Sequence, residues 1–198
     1  RRHPARRGEG DRLRGEIVAA ALRLLGESGD LNALSLRAVA REVGVAATSI
    51  YLHFPDLEAL LREVKMELFD ELLADHERAA AEAGSDPASR LRARARAYLR
   101  FAAERPGHYR VLFQSRVLKQ SDLPQGATHL GSEAFDALQS EVAALVGDDS
   151  SFMVTLHLWT AMHGMVVLRT DRPNFPWPDL EHELDDLVAR LIGTAPPR

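Results

Sequence analysis

LSLRAVAREVGVAATSIYLHF, residues 34–54, is the stretch on which the reading of this chain turns. Leu36, Val39, Ala40 and Val43 recur at i, i+3, i+4 and i+7, which gives a short helix one apolar face. Ser35 stands just ahead of that face as an N-cap able to accept a backbone N–H. Gly44 follows where a residue of positive φ lets the chain reverse. Val45 and Ile50 then supply the core contacts of a second helix, from about Ala47 to His53. The order small Ala40, turning Gly44, branched Ile50 lets two helices cross closely, as in a helix-turn-helix.

Composition and charge fit a nucleic-acid binder. The chain has 198 residues, room for one domain or two, with 45% hydrophobic and 27% charged residues. Residues 1–53 carry nine Arg against six Asp or Glu, a balance of +3, and the remainder is net acidic. A phosphate backbone attracts the first segment and repels the second. No run of eighteen or more apolar residues is present, so no transmembrane helix is expected. The basic start RRHPARRGEG lacks the apolar stretch of a secretory signal. Zero cysteines exclude disulfides and thiolate chemistry and suit a cytoplasmic location.

Enzyme classes find no motif. The P-loop, the dinucleotide glycine pattern and the Gly-x-Ser-x-Gly elbow are all missing. The spacing of His108, His157 and His163 does not call for a metal, and Asp185 and Asp186 read as solubilising charge. No catalytic residue, cofactor or metal site is expected.

Helical periodicity runs almost throughout. Ile17, Ala20, Ala21 and Leu24 share a face from Asp11 to about Ser28, and Pro55-Asp56 opens a long helix to about Ala83. Asp86 caps a helix that starts at Pro87 and ends near Glu104; Pro106-Gly107 separates it from a short helix, His108 to Gln114. Residues 115–129 read as a polar loop, and Leu130 to Val146 as a helix closed by a Gly147-Asp148-Asp149 turn. Ser151 to Arg169 is a strongly apolar helix and Pro178 to Ile192 an amphipathic one. The fold class is therefore all-α, with about nine helices. Arg92, Arg96 and Arg100 recur every four residues and read as a solvated face paired with nearby acids.

This order resembles the TetR family of transcriptional regulators. EIVAAALRLLGESG, LSLRAVAREVGV and SIYLHFPDLEALL, between Glu16 and Leu61, carry the resemblance, and WTAMHG at Trp159–Gly164 is similar to the Trp-x-x-x-His-Gly signature of one subgroup. The resemblance implies a basic arm over 1–10, a helix-turn-helix DNA-binding domain over 11–56 and a helical ligand-binding and dimerisation domain over 57–198. The implied partners are a double-stranded DNA operator, a second copy through the last two helices and an unidentified small-molecule effector, with no membrane. The implied function is a repressor released from a palindromic operator by that effector. A helical protein–protein adaptor is the rival reading.

The second helix of a helix-turn-helix presents its first residues to base edges, here Ala46, Ala47 and Thr48. Alanine and the threonine methyl suit thymine methyls, and the threonine hydroxyl bonds several bases. Ser49, Tyr51 and His53 suit phosphates, and the resemblance gives Tyr51 and His53 that role. Arg37 reaches a phosphate or a guanine, and Ser35 completes the expected DNA-facing set. Leu57 stands where the family usually has a lysine, which removes one phosphate contact. Arg1, Arg2, Arg6 and Arg7 form an arm suited to a narrow minor groove or to solvent. Tyr98, Phe101, Tyr109, Phe113, Trp159, Met162 and His163 are the expected effector-binding residues, aromatic walls with a few polar groups; the alternative is that the aromatics fill core and His163 bonds a backbone carbonyl. Gly164 is expected to permit close helix packing, and the loop 115–129 either to gate entry or to be an ordinary surface loop.

Overall fold

The structure, a computed structural model, describes residues 9–28, 34–114 and 131–193, and nine α-helices and no strand lie among them. They are α1 (Glu9–Ser28), α2 (Leu36–Val43), α3 (Ala47–Tyr51), α4 (Leu57–Glu82), α5 (Pro87–Glu104), α6 (Pro106–Gln114), α7 (Ser132–Val146), α8 (Asp148–Asp171) and α9 (Leu180–Leu191). Arg1, Arg2, Arg6 and Arg7 of the arm and the loop 115–129 lie outside the described residues.

Two compact units share the helices. One holds described residues up to Phe69 together with α6; the other holds residues 70–104 and 131–193. In the first, Ile17, Ala20 and Ala21 of α1, Val39 of α2, Ile50 of α3 and Leu60, Val64 and Leu68 of α4 are buried. His108 of α6 donates from Nε2 to the Leu22 carbonyl at 2.8 Å. Gly26 makes that approach possible, since a Cβ there would lie 3.2 Å from the same nitrogen.

In the second unit α5 packs on α7, α8 and α9. Leu91, Ala95, Leu138, Val142, Leu158, Met162, Leu184 and Val188 are buried there. Ion pairs cross between its helices. Arg94 of α5 is buried and donates to Glu77 at 2.8 and 3.1 Å and to Glu141 at 3.4 Å, and Arg90 holds Glu141 at 2.8 Å. Arg96 binds Asp185 at 2.7 and 2.8 Å and also pairs with Glu181. Of the arginine row, Arg92 and Arg96 pair with acids, as expected, and so link α5 to α9, while Arg100 is exposed; Asp185 is a structural acceptor rather than solubilising charge.

The helix ends sharpen several expectations. Pro106 opens α6 instead of separating it from α5, because proline suits a first helical position where no N–H is required. Gly147, at φ 84°, turns the chain alone, so α8 starts at Asp148, whose carboxylate suits the positive end of the helix dipole. α3 stops at Tyr51, where His53 and Phe54 both donate to the Ile50 carbonyl at 2.9 Å. Asp179 caps α9 by accepting from the His182 N–H at 2.9 Å, so the helix begins after Pro178. By length and overall composition α8 is apolar enough to cross a membrane, although it contains no unbroken apolar run of eighteen residues. It packs against α5, α7 and α9, with 28% of its apolar stretch buried.

Candidate nucleic-acid and effector sites

The turn between α2 and α3 forms for local reasons. Ser35 Oγ accepts the Ala38 N–H at 3.1 Å, which fixes the start of α2. Gly44 adopts φ 78° and ψ 28°, and its N–H and that of Val45 each lie 3.0 Å from the Ala40 carbonyl. Ile50 and Phe54 are fully buried and seat α3 on its neighbours. The opposite side of α3 is thereby turned outward.

Most of the expected DNA-facing residues, on α3 and at the start of α2, are exposed. Ser35, Arg37, Ala46, Thr48 and Tyr51 are exposed, Tyr51 at 52%. Ala47, Ser49 and His53 are half-buried. Leu52, between Tyr51 and His53, is 83% exposed, an apolar side chain left in solvent on the same surface. Asp56, an acid beside this face, is occupied as the cap of α4, accepting the Ala59 N–H at 2.7 Å. Glu58 pairs with Arg62 at 3.4 Å.

Arg14 of α1 holds the end of α3 in place. Its Nη1 donates to the His53 carbonyl at 3.1 Å, and Nε and Nη2 bind Glu63 of α4 at 3.2 and 2.8 Å. The guanidinium lies 4.4 Å from the centroid of the Phe54 ring. Sequence reasoning missed this residue. The available signal was its position three residues before Ile17, a charge in line with an apolar stripe.

The seven expected effector-binding residues divide between the units. Tyr109 and Phe113 belong to the first, their ring centroids 4.9 Å apart, with Phe69 meeting Phe113 edge-on at 6.0 Å. Tyr98, Phe101, Trp159, Met162 and His163 belong to the second. There His163 Nδ1 lies 3.2 Å from the Tyr98 hydroxyl, and the Trp159 and His163 rings are 6.3 Å apart. Phe135 meets Trp159 edge-on at 6.3 Å. Tyr98, Phe101 and Met162 are buried, while Trp159, His163 and Phe135 are half-buried. Burial holds the His163 pKa below its ordinary value. Gly164 departs from expectation: a Cβ there would meet nothing within 4 Å, so it permits no close packing inside the chain.

Two further polar groups sit in this unit. His76 of α4 is 3% exposed and neither ring nitrogen has a hydrogen-bond partner; its ring lies 6.5 Å from Tyr98. Burial first, then the Arg94 charge, lowers its pKa to about 4, so the ring is neutral at physiological pH. Thr155 Oγ1 of α8 is buried and unpartnered as well. The signal for His76 was its place in the series Leu68, Leu72, His76, Ala80, one histidine on an apolar stripe.

Comparison with known proteins accords with this layout. Residues 17–64 match the family model of bacterial regulatory proteins, tetR family, and residues 91–195 match the Tetracyclin repressor-like C-terminal domain. The uncharacterized HTH-type transcriptional regulator Rv0681 of Mycobacterium tuberculosis is 28% identical over 155 residues, 78% of this chain and 69% of that one. A protein of unknown function from Rhodococcus sp. RHA1 superposes with a TM-score of 0.70 at 26% identity, covering 97% of this chain and 96% of its own. RolR, solved in complex with resorcinol, shares the fold with a TM-score of 0.65 at 15% identity, over 95% and 89% of the two chains. A C-terminal domain match over more than half of the sequence, joined to the N-terminal one, goes against the adaptor reading. The chain belongs to the TetR family of transcriptional regulators.

Proposed function

We propose that this regulator is a dimeric repressor that leaves a palindromic operator when a small molecule binds its second unit. The observation that carries the DNA part is the outward side of α3, where Thr48 and Tyr51 are exposed while Ile50 and Phe54 are buried. Residues 11–56 are the DNA-binding part and 57–198 the effector and dimerisation part. Ala47 and Thr48 meet base edges; Ser35, Arg37, Ser49, Tyr51 and His53 meet phosphates. Access to DNA requires a cytoplasmic location.

Dimerisation through α8 and α9 is supported by what α8 leaves in solvent. Phe152, Met153 and Leu168 are each about half exposed on a helix whose Leu158 and Met162 are buried. A second copy related by a twofold axis would cover them and present two α3 helices to inverted half-sites. The effector part is supported by the aromatic and polar cluster of Tyr98, Trp159 and His163. That RolR was solved with resorcinol supports a small organic molecule in this fold. Release requires the effector to bind the DNA-free arrangement more tightly than the DNA-bound one.

Selection from a random duplex library, followed by titration of the winner at several salt concentrations, tests the DNA reading. The expected result is an enriched inverted repeat bound by two chains, with affinity falling steeply as salt rises. No enrichment above random duplex would overturn it. Sedimentation of the free protein tests the dimer, and a monomer at micromolar concentration that also binds operator as a monomer would overturn that part.

A further inference from the structure

We propose that His76 is the polar anchor of the effector site in the second unit, and that this site takes an uncharged hydroxylated aromatic molecule. The proposal rests on the effector-responsive reading above and goes on to name the anchor and the ligand class.

Buried polar groups in folded proteins nearly always have partners, and leaving one without costs stability. His76 has two ring nitrogens, both without a partner, at 3% exposure, and Thr155 adds an unpartnered hydroxyl on α8. A bound ligand can supply the missing bonds. The rings around His76 form a graded path. Trp159 and His163 are half-buried, His163 meets the Tyr98 hydroxyl at 3.2 Å, and Tyr98 lies beside the buried His76 at 6.5 Å between ring centroids. Aromatic surface thus leads to a polar end.

The charges decide the ligand class. The groups acting electrostatically on His76 are Arg94, Asp75 and Glu77. Arg94 is committed to Glu77 and Glu141, and Asp75 to Arg78 at 2.8 Å. Among the described groups acting on His76, Arg94 is thus taken up by carboxylates, and Asp75 and Glu77 by arginines, which disfavours a charged ligand. With a pKa near 4 the imidazole is neutral, offering one N–H donor and one acceptor nitrogen. A hydroxyl is the smallest uncharged group that matches both roles, and an aromatic ring matches the tilted aromatic contacts behind it.

Calorimetric titration of the full-length protein with phenol, toluene and benzoate isolates these features. The three share a ring and differ in carrying a hydroxyl, nothing polar or a negative charge. Phenol should bind at least about tenfold more tightly than either of the others, as expected of a site that hydrogen-bonds its ligand. His76→Phe should bind phenol and toluene within about twofold of each other. It should also melt about 2–4 °C higher than the parent, because the unpaired group is gone. His76→Gln keeps a donor and an acceptor and should keep the preference for phenol, which guards against misreading a poorly folded Phe variant. Equal binding of phenol and toluene by the parent, or an undiminished phenol preference in His76→Phe, overturns the anchor role and leaves the effector reading standing. Binding of none of the three overturns the ligand class, while the effector reading itself falls only if no compound in a diverse collection releases the operator duplex.

Discussion

Replacing Arg14 with Met should loosen the end of α3 while leaving the α1 core intact. Three interactions are lost. The paired contact with Glu63 joins side chains 40% and 39% exposed, so solvent screening limits it to about 0.5–1 kcal/mol. The charged hydrogen bond to the His53 carbonyl adds about 1–1.5 kcal/mol, and the guanidinium over Phe54 about 0.5–1 kcal/mol. Met retains the aliphatic stem and part of the packing. These terms overlap, so the expected loss is about 2 kcal/mol, a fall of roughly 4–8 °C in melting temperature for a chain of this size. Urea unfolding with the m-value held in common measures it. Operator affinity should also fall, by about tenfold, because Tyr51 and His53 sit in the turn that Arg14 anchors. A double-mutant cycle with Glu63→Gln should return a coupling below about 1 kcal/mol. A change under about 0.5 kcal/mol with operator affinity intact would refute the idea that this contact positions α3.

Gly44→Ala should cost about 1–2 kcal/mol in urea unfolding; a Cβ would meet no atom within 4 Å, so the loss reflects φ 78° alone. His76 predicts an acid limb. The unfolded ring takes a proton near pH 6.5 and the folded ring only near 4, so stability is complete above pH 6.5. It should fall as pH drops toward 4, by at most about 3 kcal/mol, and His76→Phe should lack that slope. Arg94→Met should cost only about 1 kcal/mol, since Glu141 keeps Arg90 and Glu77, its side chain 53% exposed, is solvated when it loses its partner. The Arg94 hydrogen bond holds the Glu77 carboxyl below its ordinary value. Its share of stability is therefore present above about pH 4.5, is lost as pH falls below that, and should be missing in Arg94→Met. Thr48→Val should alter the preferred operator sequence, whereas Tyr51→Phe should weaken all operators alike; selection from a random library separates the two.

Local chemistry was legible in the sequence where it is self-contained. Ser35, Gly44 and the Leu36, Val39, Ala40 stripe specify α2 and its exit without help from the rest of the chain, and the structure matches them in detail. Asp86 before Pro87 specifies the start of α5 in the same way, accepting the Ser89 N–H at 3.0 Å. What the sequence hid depends on partners far along the chain. Arg96 looks like surface charge until α9 brings Glu181 and Asp185 beside it, 85 and 89 residues later. Arg14 meets Glu63 across 49 residues. A histidine on an apolar stripe is ambiguous for the same reason: burial is readable from Leu68, Leu72 and Ala80, but the missing hydrogen-bond partners of His76 are a property of every neighbour at once.

α4 gives the two readings a common element. Glu63, which holds Arg14, and His76, proposed to hold the effector, are thirteen residues apart on one unbroken helix, about 20 Å along its axis. A ligand that hydrogen-bonds His76 acts on the later part of α4. In the proposed switch, a shift of α4 that follows is passed along the helix to Glu63. Arg14 then has to follow Glu63 or release it, and its bond to the His53 carbonyl ties that choice to the end of α3. Operator release by this route needs no direct contact between effector and α3. It needs the ligand to favour one α4 position over the other, and a differential affinity of about 1–3 kcal/mol gives a 5–150-fold change in operator binding. The partly exposed Arg14–Glu63 pair is suited to that role: a pair worth more than the ligand's differential affinity would hold α3 fixed whatever bound at His76.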